Sequence, residues 1–158
     1  MLLHLLRHAD AGDPQAWQGP DSIRPLSAKG RRQSKRLGDH LSAAGFKTDV
    51  IVTSPKIRAE QTADIVGERL GVAVTVDDRL ADPLDVDIVD DLLTDAGDPE
   101  RIVLVGHDPD FSDLLSALCG PQLEMKKGAL ARIEVERPLR AGRGALRWLI
   151  PPDALKDR

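Results

Sequence analysis

The chain has 158 residues, with 22 Lys and Arg against 26 Asp and Glu, a formal net charge of −4. That length suits one domain with a substantial core, and the acidic balance argues against a general affinity for nucleic acid or other polyanions. Aromatic residues make up 3% and Tyr is absent, which leaves no stacking platform for single strands. The single cysteine, Cys119, excludes an internal disulfide. No apolar stretch reaches membrane-spanning length, and the opening run lacks the flanks of a secretory signal. A soluble, cytoplasmic protein without membrane or nucleic-acid partners is expected.

In chain order, Met1–Leu6 reads as a first buried strand, a short apolar run bounded by polar residues. Residues 9–25 carry several Gly, Pro and Asp and read as a long loop; loops of that length in a compact domain are usually functional. Ser27 can cap a helix running to about Ala44, with Leu37 and Leu41 on its buried face and Gly45 just past its end. Asp49–Thr53 is the second strand. Ser54-Pro55 then reads as an N-cap with proline at the first helical position, opening a helix to Leu70 that Gly71 stops. Val72–Val76 is the third strand, Asp77–Asp85 an acidic loop and Val86–Asp95 a short helix. Arg101–Gly106 is the fourth strand, and Asp108-Pro109 repeats the cap-and-proline pattern ahead of a helix to Cys119. Ala129–Glu136 and Ala145–Ile150 complete the set as a strand pair around a Pro/Gly turn. This alternation predicts a single α/β domain over residues 1–158: three layers, a mostly parallel sheet and an antiparallel C-terminal edge pair. Residues 151–158 are expected to form a loose polar tail.

Two histidines sit directly beyond strand ends: His8 after the first strand and His107 after the fourth. Ligands of open α/β sheets bind outside the carboxyl ends of strands, so the two imidazoles can share one pocket. Arg7 stands beside the first. Arg58 lies in the first turn of the second helix, where free N–H groups and the helix dipole favour anions and a guanidinium adds a planar fork matched to phosphate. Each close charge contact is worth about 4 kcal/mol at an effective dielectric near 20. These residues predict a site for an anionic, phosphorylated substrate. No Gly-rich phosphate cradle, cysteine nucleophile or zinc-type His/Cys spacing is present, whereas a neutral imidazole can itself attack phosphorus. The residues alone leave open which histidine does so. His4 and His40 read as structural, Cys119 as a small core residue, and the basic run Lys29, Arg31, Arg32, Lys35 and Arg36 as a solvated helix face.

Arg7-His8-Ala9, the block Ser54-Pro55-Lys56-Ile57-Arg58-Ala59-Glu60-Gln61-Thr62-Ala63 and Gly106-His107 together resemble the histidine phosphatase superfamily, with its phosphoglycerate mutase-like fold. The stretch Ile23–Gly30 and the short length are similar to its SixA-type phosphohistidine phosphatase branch. The resemblance implies that His8 is the nucleophile and becomes phosphorylated, that Arg7, Arg58 and His107 complete the phosphate pocket, and that water then hydrolyses the intermediate. It implies no metal or organic cofactor. The partner would be a phosphorylated protein, such as a histidine phosphotransfer domain; the alternatives are a small phosphorylated metabolite or a non-catalytic phosphate-binding module. Two positions depart from the family pattern. Ala9 replaces the usual glycine, harmless if its φ is negative. The general acid of larger members has only Asp82, with Asp85 nearby, as a candidate. A phosphohistidine that expels neutral imidazole needs an acid less than an ester that expels an alkoxide, which tilts the expected substrate toward a phosphoramidate.

Overall fold

The computed structural model describes residues 1–156. Six strands, β1 (Leu2–Arg7), β2 (Val50–Thr53), β3 (Val74–Val76), β4 (Arg101–Gly106), β5 (Leu130–Glu134) and β6 (Ala145–Ile150), form one sheet in the order β3-β2-β4-β1-β5-β6. The first four are mutually parallel, while β5 runs antiparallel to β1 and to β6. Four helices connect them: α1 (Ala28–Ala43), α2 (Ile57–Leu70), α3 (Val86–Asp95) and α4 (Asp110–Cys119). This is the three-layer α/β arrangement with an antiparallel C-terminal edge that the alternation predicts.

Strand periodicity explains the two cores. Successive side chains point to opposite faces, so Leu3, Leu5, Ile102 and Leu104 pack with Val89, Leu92, Phe111 and Leu115 of α3 and α4. Leu6, Val103 and Val105 pack on the other face with Leu37, Leu41, Ala63 and Val66 of α1 and α2. His4 points to the second face and is fully buried there. Its Nδ1 donates to the Ile102 carbonyl at 3.0 Å, and its Nε2 accepts from Arg132 Nε at 3.0 Å. The expected structural role of His4 is therefore met by a fully partnered ring.

Several boundaries differ from the sequence reading. The helix after β2 begins at Ile57 rather than Pro55, and Ser54 caps nothing; its hydroxyl is used elsewhere. Likewise α4 begins at Asp110, and Asp108 supports it from further out, accepting from the Ser112 backbone N–H at 3.0 Å and hydroxyl at 2.6 Å. Ser27 does cap α1, accepting from the Gly30 N–H at 3.0 Å. The loose-tail expectation fails for residues 151–155. Pro152–Leu155 forms a 3-10 turn with Pro152 buried and Leu155 packed on the α1–α2 core, because this end of the chain still carries apolar surface to hide. Residues 157–158 of that tail lie outside the described residues.

The topology prepares a site. β1 and β4 are neighbours, yet α1 and α4, which follow them, cover opposite faces. That divergence opens a crevice beyond the carboxyl ends of the two strands. Two glycines hold its walls. A Cβ on Gly30 would lie 1.9 Å from the Asp10 carbonyl oxygen, so only glycine lets the first turn of α1 close on the backbone just past His8. A Cβ on Gly106 would lie 2.6 Å from the Phe111 ring, just before His107.

Candidate active site

Register brings the two histidines together. Arg7 pairs with Gly106 across β1 and β4, so His8 and His107 are the next residues on adjacent strands, and the His8 N–H donates to the Gly106 carbonyl at 3.0 Å. Their ring centroids lie 5.2 Å apart. Both imidazoles and the Arg58 side chain are buried, and Arg7 nearly so. Arg7, His8, Arg58 and His107 are thus gathered at one end of the sheet.

The hydrogen bonds differentiate the rings. His8 Nδ1 faces the Ala9 carbonyl at 2.8 Å. A carbonyl only accepts, so Nδ1 carries the proton and Nε2 presents its lone pair. His107 Nε2 lies 2.7 Å from Ser54 Oγ, which already accepts from the Lys56 N–H at 3.2 Å. A Ser54 hydroxyl that donates to Nε2 would leave Nδ1 of His107 as an N–H donor. The His8 ring thus presents a free lone pair at Nε2.

Three buried nitrogens have no partner among the described residues: Arg7 Nε, Arg58 Nε and His107 Nδ1. Such orphans are costly in a folded interior, and all three belong to the residues around His8. One terminal nitrogen of Arg7 and both of Arg58 are anchored. Arg7 Nη1 donates to the Met125 carbonyl at 2.7 Å and lies 3.3 Å from Asp108. Arg58 Nη1 and Nη2 donate to the backbone oxygen and carboxylate of Asp21 at 2.8 and 2.9 Å. Fixed guanidiniums and unsatisfied donors are what a tetrahedral oxyanion requires, and the His8 lone pair lies beside them.

Electrostatics keeps the rings neutral. Burial, joined by Arg58, Arg7 and Lys127, pushes the His8 pKa down to about 3 against the opposing Ala9 hydrogen bond. Burial, with His8, Lys56 and Arg58, lowers His107 to about 3; burial lowers His4 to about 4. A depressed folded pKa means the unfolded chain takes up the extra protons below its ordinary value near 6.5, so stability is complete above that pH and falls as pH drops toward 3. Three such groups are expected to remove about 4 kcal/mol between pH 8 and 5.5. Urea unfolding across that range checks this; a constant midpoint contradicts it.

Sequence reasoning missed several supporting residues. Thr62 Oγ1 accepts from the Ala9 N–H at 3.2 Å and donates to the Arg58 carbonyl at 2.8 Å, tying the loop after β1 to α2. Gln61 Oε1 accepts from the Leu26 N–H at 2.8 Å, holding the far end of the same loop. The Ser54–Ala63 block carried the signal for Ser54, Gln61 and Thr62, but their tasks depend on partners far away in sequence. Asp21 gave no sequence signal beyond lying in a long loop. Ala9 keeps a negative φ, as its substitution for glycine requires. Asp82 is exposed, and its carboxylate makes no hydrogen bond or ion pair among the described residues; Asp85 is used as the cap of α3, accepting from Ile88 at 2.8 Å. Replacing Ser54 with Ala is expected to free the His107 tautomer and lower turnover about tenfold, with altered His107 ring nitrogen shifts by NMR; unchanged shifts contradict the assignment.

The sequence model of the histidine phosphatase superfamily (branch 1) matches residues 3–84, just over half the chain. The chain belongs to the histidine phosphatase superfamily. This histidine phosphatase is 27% identical over 163 aligned positions to phosphohistidine phosphatase SixA of Escherichia coli, covering 99% of this chain and 97% of that one. It is 33% identical over 137 positions to a protein of Picosynechococcus sp., covering 82% of each. Among solved structures it superimposes on the protein histidine phosphatase SixA complexed with tungstate with a TM-score of 0.84, at 28% identity over 99% of this chain and 100% of the other. The alpha-ribazole phosphatase of Shigella flexneri shares the fold, with a TM-score of 0.75 at 18% identity over 96% and 97%. No described helix of this histidine phosphatase is long and apolar enough to cross a membrane.

Proposed function

We propose that this protein is a phosphohistidine phosphatase that works through a covalent intermediate on His8. The observation that carries the reading is the group of unpartnered buried donors around a lone-pair-bearing imidazole: Arg7 Nε, Arg58 Nε and His107 Nδ1 beside His8. The similar SixA structure holds tungstate, a tetrahedral oxyanion, which supports a phosphoryl group as the occupant.

In the first step His8 Nε2 attacks phosphorus, and the bond from phosphorus to the substrate imidazole breaks. Arg7, Arg58 and His107 take the phosphoryl oxygens and stabilise their charge. A phosphohistidine leaving group protonated on its other ring nitrogen departs as neutral imidazole. In the second step water attacks phosphorus, the bond to His8 Nε2 breaks, and inorganic phosphate leaves. His8 still carries its Nδ1 proton on the Ala9 carbonyl, so it too departs as neutral imidazole. The burial and positive neighbours that depress its basicity also make it a better leaving group. Neither step requires a strong general acid.

The substrate is then a phosphohistidine on a protein, with a histidine phosphotransfer domain as the expected type. The test compares hydrolysis of a phosphohistidine-bearing protein with that of sugar phosphates, each by wild type and Asp82→Asn. A general acid contributes about 10²–10⁴-fold. The expected outcome is preference for the phosphoprotein, with Asp82→Asn changing its rate less than about threefold. Faster turnover of sugar phosphates with a hundredfold dependence on Asp82 would instead assign a small-molecule phosphomonoesterase.

A further inference from the structure

A second cavity, of about 420 Å³, is lined by Leu2 and Arg101 at the ends of β1 and β4 away from the candidate active site, by Arg132 and Trp148 at mid-strand, and by the end of α1. It shares no lining residue with the candidate active site. His4, buried behind Arg132, lies four residues before His8, roughly 13 Å along β1 at about 3.3 Å per residue. Three cationic side chains line the cavity: Lys47, Arg101 and Arg132. No carboxylate is among its lining residues, in a chain where acidic residues outnumber basic ones.

The aromatic content is equally uneven. The chain has only two Trp and two Phe, and Trp148 and Phe46 both line this cavity, each partly exposed. Arg132 lies between them, its guanidinium carbon 4.8 Å from the Trp148 ring centroid and 5.5 Å from that of Phe46. The Trp148 ring beside it and the hydrogen bond from Nε to His4 position the guanidinium. Its two terminal nitrogens have no hydrogen-bond partner among the described residues. Neither Lys47, Arg101 nor Arg132 forms an ion pair there, and the nearby Asp49 carboxylate accepts from the Arg101 backbone N–H rather than its side chain. Burial and the closeness of Arg101 both work against the charge on Arg132. Among the other described arginines, Arg7, Arg24, Arg58, Arg69, Arg79, Arg137 and Arg147 meet carboxylates.

We propose that this cavity binds a small organic anion of the nucleoside phosphate class, its phosphate on Arg101, Arg132 and Lys47 and its planar base against Trp148 and Phe46. The volume falls in the range of small-ligand sites. Inorganic phosphate alone would satisfy the cations but leave the aromatic and aliphatic lining wet. An uncharged ring would leave adjacent positive charges unrelieved. A nucleotide meets both demands.

The experiment uses the full chain carrying Trp17→Phe, which leaves Trp148 as its sole tryptophan, and His8→Ala, which prevents turnover of the probe. AMP, GMP, ADP, GDP and inorganic phosphate are titrated while Trp148 fluorescence is followed. At least one nucleotide is expected to give a saturable change with half-saturation below about 1 mM. Adding Lys47→Ala and Arg101→Ala, both exposed positions that spare the core, is expected to weaken it at least about tenfold. Adding Arg58→Ala is expected to leave it unmoved. The proposal is overturned if no nucleotide saturates, if the Lys47/Arg101 pair makes no difference, or if Arg58→Ala abolishes the response, which would put the nucleotide among the catalytic imidazoles. An equal affinity for inorganic phosphate would remove the base from the assignment.

Discussion

His8→Ala is expected to reduce turnover by about four orders of magnitude or more, the scale seen when an enzyme nucleophile is deleted. Residual activity would come from oxyanion stabilisation by Arg7, Arg58 and His107 alone. The substitution also removes the acid-labile phosphoenzyme, which quenched-flow trapping with radiolabelled substrate detects in the wild type. His107→Ala separates the two rings. It removes a donor and leaves the nucleophile, so it should slow the reaction while still allowing a labelled enzyme to form. If His8→Ala turned over at the native rate, or if the label sat on His107, the hydrogen-bond reading of the two tautomers would be wrong. The fold should tolerate the change, because burying an imidazole with a strongly depressed pKa is itself costly below pH 6.5. The variant is expected to be less sensitive to acid than the wild type.

Arg58→Ala is expected to lower kcat/KM about a thousandfold, the loss of roughly 4 kcal/mol when one close, buried charge contact to a phosphoryl group disappears. Arg58→Lys should recover little of it, since an ammonium cannot hold Asp21 with two nitrogens and keep a third aimed elsewhere. Arg58 also tethers the loop after β1 through Asp21, so the variant alone does not separate charge from loop anchoring. Asp21→Asn does: it breaks the ion pair and leaves the guanidinium. A fall of less than about tenfold is expected there, consistent with a partly exposed pair. An Asp21→Asn variant as damaged as Arg58→Ala would mean that Arg58 serves chiefly to position the loop.

Much of the frame was legible because it depends on local pattern. The apolar runs before His8 and His107, the cap at Ser27 and the stop at Gly71 each follow from a few neighbouring residues. The Ser54-Pro55 pattern misled for the opposite reason. It has the composition of a helix start, yet the Ser54 hydroxyl is drawn to His107, whose partnership no local rule contains. Asp108 was read as a helix-start residue and does support α4, but its carboxylate also faces Arg7 at 3.3 Å. The tail is a third case. Its polar composition suggests looseness, whereas Pro152 is buried and Leu155 packs on the core formed by α1 and α2.

By itself, the order of amino acids determined the element sequence, the α/β class and the four side chains at the head of the site, since strand period, caps and the Ser54–Ala63 block are properties of contiguous residues. Which nitrogen of each histidine holds a proton, which arginine atoms stay unpartnered, and the recruitment of Asp21, Thr62 and Met125 were decided only in three dimensions. Those outcomes depend on the register of β1 against β4, strands nearly a hundred residues apart, and on backbone carbonyls whose positions exist only once the sheet has closed.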